Sequence, residues 1–248
     1  SAVGVSVRPR DEDSSYMPCF LVVEMVAQSI SAANRISLHR FSHQPGHIAA
    51  AVYATGNLAL RNKPFLAFHL SGGTTECLLV KEGEESPFAI ERLYTSSDLY
   101  AGQAVDRVGA MLGLLFPAGP ALERLALESS AKFHPRVPMQ SGNPSISGLE
   151  NQCKKLLAEG KSSADVARYC IAWLSTMVQK MTENALSRFP GLPVIYAGGV
   201  MANGIIREEV TAKFGGEHCF FASPAFSADN AAGIAVLAAI GEGECAQC

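Results

Sequence analysis

Apolar residues recur along this chain in two patterns, as short continuous runs and as longer stretches with helical spacing. The short runs, bounded by Gly, Pro or polar residues, predict β-strands at 1–7, 36–41, 64–70, 76–81, 193–197 and 219–221. Helical spacing predicts α-helices at 20–30, 48–54, 99–112, 122–125, 146–160, 164–188, 203–214 and 229–240. Several strand–glycine turn–helix junctions indicate an α/β architecture with crossover connections.

Composition and charge narrow the class of protein. Apolar residues make up 48% and charged residues 17% of the 248 positions, which favours a packed globule of one or two domains over disorder. The formal net charge of −3 argues against tight, non-specific binding to nucleic acid, so a local basic patch or a partner would have to supply positive charge. No apolar run approaches the roughly 20 residues that span a bilayer, so we expect no membrane segment.

The cysteines and the start of the chain indicate cellular context. Seven scattered cysteines, an odd number with no signal peptide before them, predict reduced thiols in the cytoplasm. Cys245 and Cys248 form one CxxC at the C-terminus, a weak signal for zinc or redox chemistry. The chain starts directly in a predicted strand without an initiator Met, which we interpret as loss of an upstream segment.

Two motifs carry ligands typical of a metal site. His43 and His47 flank Pro45, which suits the start of a helix, so both imidazoles could hold one zinc or iron ion. The alternative is a pair of surface or capping histidines. Asp229 lies at the start of a predicted helix rich in Ala and Gly, where it could complete a two-His, one-carboxylate site or simply favour the helix N-terminus.

Glycine-rich turns after apolar strands could approach an anion closely. Ser71, Gly72 and Gly73 form one such turn, and Gly198 and Gly199 form another before Asn203. Each could instead be an ordinary turn without a ligand. A third segment contains Asp106, which could hold a ribose hydroxyl, and Gly119, which could leave room for a base; the alternative for Asp106 is a solvated helix face.

In order and spacing these motifs resemble the TsaD family, called Gcp or O-sialoglycoprotein endopeptidase in older naming. His43 and His47 match the family's metal histidines, and Asp229 matches the acid of its TDN segment. Further matches are the SGG loop at 71–73, the acid of a GEAFDK-like segment at Asp106, the PGGP turn at Gly119, the FSGLK segment at 145–149 and the GGVxxN segment at 198–203.

The resemblance implies a fold and an activity. The fold is the two-lobed ASKHA architecture of actin, sugar kinases and Hsp70, with 1–64 plus 222–248 in an incomplete first lobe that lacks the family's leading hairpin, and 65–221 in the second. The activity is transfer of a threonylcarbamoyl group from its adenylate to the adenosine beside the anticodon of tRNA. Protein partners of that pathway, or a homodimer, are expected.

The resemblance also implies ligands. One divalent metal, iron or zinc, would lie in the cleft, and an adenine nucleotide or threonylcarbamoyl-adenylate would bind to Asp106, Gly119 and Asn203, with its phosphate at Ser71, Gly72 and Gly73. His69 lies two residues before Ser71, where archaeal relatives place a metal-binding Tyr. We therefore expect a fourth ligand there; a core histidine with a backbone partner is the alternative.

Four departures from the family indicate a divergent paralogue. Besides the absent leading hairpin, Thr74 replaces the family's His, Gln103 replaces a Glu, and Glu150 reverses the charge of the Lys in FSGLK. These departures allow an alternative interpretation, in which the chain is a non-catalytic paralogue that acts as a partner or regulator. A metalloprotease, suggested by the older naming, lacks support because the chain has no HExxH motif.

Overall fold

The computed structural model describes residues 1–11, 14–83, 87–223, 226 and 231–243. The strands are β1 (Ala2–Arg8), β2 (Ser37–Ser42), β3 (Phe65–Leu70), β4 (Thr75–Glu82), β5 (Phe88–Thr95), β6 (Met139–Gln140), β7 (Asn143–Pro144), β8 (Val194–Ala197) and β9 (Cys219–Phe221). The helices are α1 (Cys19–Asn34), α2 (His43–Ala54), α3 (Ala101–Met111), α4 (Gly119–Leu127), α5 (Gly148–Ala158), α6 (Ser163–Arg188), α7 (Gly204–Phe214) and α8 (Ala232–Gly241). Two short 3-10 helices span Leu58–Asn62 and Gly199–Ala202.

A five-stranded sheet in the order β5-β4-β3-β8-β9 forms the centre of the described structure. Strands β3, β8 and β9 run parallel, whereas β3, β4 and β5 form an antiparallel meander. In this register His69 on β3 lies opposite Glu76 on β4 and beside Ala197 on β8. The carboxyl end of β3 therefore brings residues from three strands to one place.

The larger hydrophobic core covers one face of this sheet, beneath α3 to α7. Helix α6 is its main component, and Trp173 at its centre is fully buried. The helix starts where the Ser162 hydroxyl accepts a hydrogen bond from the backbone N–H of Asp165 at 3.1 Å. It ends at Arg188, shortly before Pro190, since the residue that precedes a proline disfavours helical backbone.

The smaller core covers the opposite face and contains residues of α2 and α8. These two helices approach backbone to backbone: a Cβ on Gly233 would lie 1.8 Å from the carbonyl oxygen of Gly46. A Cβ on Gly4 in β1 would likewise lie 2.7 Å from the carbonyl oxygen of Ile234. Beyond α8, β1 and β2 form a separate parallel pair.

The α/β architecture with crossover connections is confirmed, and each predicted strand and helix lies on an observed one. Two of the boundaries that differ matter for the candidate site. Helix α2 begins at His43 rather than near Pro45, so both histidines belong to the helix; proline is tolerated in a first turn because its missing N–H has no partner there. The last helix was predicted from 229, but α8 starts at Ala232 and residues 229–230 lie outside the described residues.

Strand β5 was not predicted from the sequence. Glu91 and Arg92 interrupt its apolar pattern, and a register shift against β4 between Cys77 and Leu78 breaks the alternation. The division into lobes at 1–64 plus 222–248 and 65–221 stays a prediction.

The cysteines within the described ranges are free thiols, at positions 19, 77, 153, 170 and 219. Cys77 and Cys219 are buried, and this burial raises the pKa of both thiols. Cys245 and Cys248 lie outside the described residues.

No helix in the described ranges has the length and apolar character needed to cross a bilayer.

Candidate functional site

Three histidines converge at the carboxyl end of β3. His43 and His47 are one turn apart on α2, which places both on one helix face, and their Nε2 atoms are 3.0 Å apart. The His69 ring centroid lies 5.2 Å from that of His47. His69 faces this site while its neighbour Leu70 is buried in the larger core, as alternation along a strand requires.

Neighbouring residues hold the His43 ring in place. Its Nδ1 is 3.4 Å from the Ser6 hydroxyl, and the Phe20 ring packs against it with centroids 5.7 Å apart. Because Nδ1 faces Ser6, Nε2 is the atom directed at His47. A partner for one ring nitrogen of a ligating histidine commonly orients the other toward a metal.

A cavity of about 180 Å³ lies between α2, β3 and β4. The three histidines line it, and so do Arg10, Gln44, Thr74, Glu76 and Phe226. Sequence reasoning missed Glu76, which is only 4% exposed. Its two carboxylate oxygens accept hydrogen bonds from Gln44 Nε2 at 3.4 Å and from an Arg10 guanidinium nitrogen at 3.3 Å. One signal in the sequence could have indicated Glu76, because it is an acid within an apolar strand. A charge buried there requires a partner, which marks the position as unusual.

The donor chemistry at this site fits a divalent metal in part. Bonds of about 2.0–2.1 Å to histidine nitrogen allow two ligand atoms of one ion to approach as closely as the observed His43–His47 pair. Among the residues described here, however, no set of three or more His, Cys, Asp or Glu side chains is positioned to hold an ion. Asp229 lies outside those residues, so the four-ligand set of His43, His47, His69 and Asp229 stays a prediction.

The structure brings the two predicted glycine turns together. The first turn connects β3 to β4, where Ser71 N–H donates to the Thr74 carbonyl at 2.8 Å, and a Cβ on Gly72 or Gly73 would meet open space. Gly198 has φ +96°, and a Cβ there would lie 2.2 Å from the Leu70 carbonyl oxygen. Only glycine fits at such a crossing, which places the open backbone of Gly199 next to the first turn.

Helix α3 closes onto the same turn. Gly102 N–H donates to the Ser71 carbonyl at 3.0 Å, and a Cβ on Gly102 would lie 2.6 Å from the Gly72 nitrogen. The buried Thr75 hydroxyl accepts from Ala101 N–H at 2.8 Å. The Gln103 departure has a local role, since its side chain accepts from Tyr100 N–H at 3.4 Å at the start of α3.

Of the remaining predicted nucleotide residues, Gly119 and Asn203 lie at the starts of α4 and α7, and Asp106 lies within α3. Asp106 Oδ1 accepts from Ala118 N–H at 2.9 Å and so fixes the turn before Gly119, the first residue of α4. Asn203 Oδ1 accepts from Ile206 N–H at 3.1 Å and caps α7. Glu123 on α4 accepts from Gly204 N–H at 2.7 Å, which ties α4 to α7. These bonds give Asp106 and Asn203 structural roles that the sequence had not indicated.

Asp98 fastens the 145–149 segment to the start of α3. Its carboxylate accepts from the hydroxyls of Ser145 and Ser147 at 2.7 and 2.6 Å and from Ile146 N–H at 2.8 Å. Partial desolvation opposes ionisation, but these hydrogen bonds outweigh it and hold the pKa of Asp98 well below its usual range.

The reversed charge at Glu150 is neutralised within the chain. A 2.6 Å hydrogen bond from Lys154 and a 3.5 Å contact from Arg107 hold the pKa of Glu150 below its ordinary value. The local net charge is therefore less negative than the substitution alone suggests.

The comparisons with known proteins decide the family. A family model described as "tRNA N6-adenosine threonylcarbamoyltransferase" matches residues 16–236. The chain belongs to the TsaD family. A tRNA N6-adenosine threonylcarbamoyltransferase of Streptococcus pyogenes serotype M2 is 30% identical over 97% of this chain and 69% of the relative. One of Streptococcus suis is 31% identical over 90% of this chain and 66% of the relative. The chain thus spans about two thirds of the length of these TsaD relatives.

Solved structures show the fold. Full-length HypF in its phosphate- and nucleotide-bound form matches 90% of this chain and 45% of its own, with TM-score 0.65 and 13% identity. HypF of T. kodakarensis matches 83% of this chain and 36% of its own, with TM-score 0.63 and 16% identity. At such identities the likeness concerns the fold alone. The predicted ASKHA architecture of this TsaD family member is confirmed.

Proposed function

We propose that this chain is a metal- and adenine-nucleotide-binding enzyme that transfers a threonylcarbamoyl group to an adenosine of tRNA. The observation that supports this best is the position of the histidine cavity. His69 lies two residues before the open turn of Ser71, Gly72 and Gly73, and Thr74 of that turn lines the cavity with His43 and His47. A carbamoyl group at the histidines and a phosphate at the glycines would be neighbours.

In this proposal His43 and His47, with His69 and Asp229, hold one divalent ion, iron or zinc. The ion would polarise the carbamoyl carbonyl of the donor. Ser6 fixes the His43 ring through Nδ1, so that Nε2 keeps its direction. Buried Glu76 keeps Gln44 and Arg10 at the wall of the same cavity.

The nucleotide would bind across the adjoining turns. Gly72, Gly73 and Gly199 leave open space where side chains would be, so a phosphate could approach their backbone closely. Asp106, Gly119 and Asn203 would position the adenosine at the starts of α4 and α7. Orientation of the two reacting groups is the main contribution of such a scaffold.

A non-catalytic family member that serves as a partner or regulator is the second candidate. The Arg10–Glu76 ion pair favours it, because a guanidinium at 3.3 Å from a buried carboxylate takes up part of the histidine cavity. A cytoplasmic location stays a prediction from the cysteines, and a homodimer and partners of the threonylcarbamoylation pathway stay predictions from the resemblance.

Elemental analysis and a transfer assay test the proposal. We expect near-stoichiometric iron or zinc in the wild type, its loss in His43→Ala and Asp229→Ala, and no change in His218→Ala, a histidine outside the cavity lining. Incubation with threonylcarbamoyl-adenylate and unmodified tRNA transcript should then yield modified adenosine. Metal and nucleotide binding without transfer would favour the second candidate; absence of metal after gentle purification would overturn the proposal.

A further inference from the structure

A second cleft, of about 1020 Å³, lies between α5, α6 and the segment that precedes β6. One wall is the segment that joins α4 to β6, which we call the 129–138 strap. The other wall carries Gln152 from α5 and Tyr169 and Lys180 from α6. Neither the proposed metal site nor the nucleotide turns use any of these residues.

The strap is extended and fastened at both ends. The Ser129 hydroxyl donates to Asp165 near the start of α6 at 2.5 Å, and Lys180 Nζ donates to the Val137 carbonyl at 3.2 Å. Positions 165 and 180 lie about 22 Å apart along a helix. The eight steps from Ser129 to Val137 reach about 26 Å in extended backbone. The strap therefore runs along α6 and covers most of the distance that its backbone can reach.

An extended backbone alternates its side chains between two faces, and the strap does so. Lys132, His134 and Arg136 are exposed, whereas Phe133 is half-buried and Val137 is buried. Alternate residues lie roughly 6.6 Å apart. The strap thus presents a row of basic side chains at alternate positions, with a spacing of the same order as that of successive phosphates in a nucleic-acid strand.

The cleft is basic in a chain whose formal net charge is −3. Its described lining includes Lys132, His134, Arg136 and Lys180 and no carboxylate. The ion pairs formed between described residues involve none of these four side chains. The charges of Lys132 and Arg136, both exposed, therefore remain available to a ligand. Because the net charge of the chain is negative, binding to nucleic acid would require a local basic patch, and this cleft is such a patch.

Aromatic rings supply the second feature of the cleft. Phe133 packs edge-to-face on Tyr169, with centroids 5.3 Å apart, and the Tyr169 hydroxyl donates to the Gln152 side chain. Rings held rigidly beside a basic groove are the arrangement with which proteins bind unpaired bases and their backbone. An acidic peptide would use the cations but has no need of the rings.

We propose that the 129–138 strap and α6 form a binding site for the phosphate backbone of RNA. If the proposed transfer function holds, that RNA is the substrate tRNA, bound here away from the reacting adenosine. The site would supply affinity and orientation rather than chemistry, since half or more of protein–nucleic acid hydrogen bonds go to the backbone.

The test is binding of an unmodified tRNA transcript, measured by fluorescence anisotropy over a range of salt concentrations. We compare wild type with Lys132→Gln/Arg136→Gln, two exposed positions whose replacement leaves the core intact. The matched control is Lys154→Gln/Lys155→Gln, which removes the same charge from exposed lysines of α5 outside the cleft.

We expect the strap variant to bind roughly tenfold more weakly or worse, and the slope of log affinity against log salt to fall by about 1.4 to 1.8. The control should stay within about twofold of wild type. Equal losses in both variants, or displacement of the RNA by polyglutamate at the same charge concentration, would overturn the proposal.

Failure of the transfer function would be seen separately. Metal content and nucleotide binding of the strap variant should match the wild type, because its substitutions are outside the histidine cavity and the glycine turns. A wild type that binds RNA through the strap but transfers nothing would refute the proposed activity and leave the RNA site standing.

Discussion

Helices α1 and α6 are both rich in apolar residues, yet they lie in opposite environments. Trp173, Leu174, Met177 and Val178 of α6 are fully buried between the sheet and its neighbouring helices. On α1 only Ala27 is buried, while Val22 and Met25 are 63% and 68% exposed. The difference teaches that apolar spacing predicts a helix but not whether its apolar face is buried, because burial depends on which elements pack against that face.

The largest effect should come from the centre of α6. Trp173→Ala leaves a cavity in the larger core, and we expect a loss of about 3–5 kcal/mol of unfolding free energy. Within the described structure the Trp173 Nε1–H is buried without a hydrogen-bond partner. Trp173→Phe removes that donor and should therefore cost clearly less. Urea denaturation measures both; an equal cost for the two variants would contradict this account.

The smaller core depends on a helix crossing rather than on large side chains. Gly233→Ala places a methyl group 1.8 Å from the Gly46 carbonyl oxygen, so α2 and α8 must separate, and we expect a loss of about 1–3 kcal/mol or more. Gly148→Ala, where the nearest atom is 3.7 Å away, is the matched control and should change stability by less than about 0.5 kcal/mol. Similar melting temperatures for both variants would contradict this expectation, since they would show that α2 and α8 can separate without a loss of stability.

Exchange of the same residue type tests the comparison directly. Val178→Ala on α6 removes two buried methyl groups and should cost about 2 kcal/mol. Val22→Ala on α1 should change stability by less than about 0.5 kcal/mol, and in either direction, because the exposed site gains helix propensity. A comparable loss at Val22 would mean that α1 is covered in solution.

The smallest expected effect is the pH-dependent contribution of the Asp98 carboxylate to stability. The folded pKa of Asp98 is lowered, so the stability that its carboxylate contributes is fully present above its unfolded pKa of about 3.9 and is lost as pH falls through the folded pKa. Asp98→Asn should melt at a lower temperature than wild type at pH 7, and this gap should shrink below about pH 4. Thermal melts followed by circular dichroism measure the gap; one that is constant with pH would exclude the carboxylate as its source.

Much of the fold could be predicted from the sequence, because most strands and helices have strong local patterns of apolar residues. The run at 193–197 and the long amphipathic stretch at 164–188 correspond to β8 and α6, and the ASKHA architecture followed from the resemblance. Strand β5 could not be read, since a bulge against β4 breaks its alternation. The two exposed charges in it, Glu91 and Arg92, resemble a loop in sequence but face solvent from the edge of a sheet.

The candidate site divides in the same way. Glycine turns and the His43–His47 spacing were visible because each is a local pattern in the chain. Glu76 and Arg10 were not, because their relation spans 66 positions and exists only once β4 and the segment after β1 are neighbours. Asp98 was missed for the same reason, since its partners lie 47 to 49 positions away.

The sequence by itself determined the family, the order of strands and helices, and the residue types available at each turn, since these depend on neighbours within a few positions. Only the tertiary structure decided that His69 faces the α2 histidines, that Asp106 and Asn203 already hold helix starts, and that the strap cations share one cleft with α6. Those relations are distances between remote parts of the chain, which the packing of the two cores sets and no local pattern encodes.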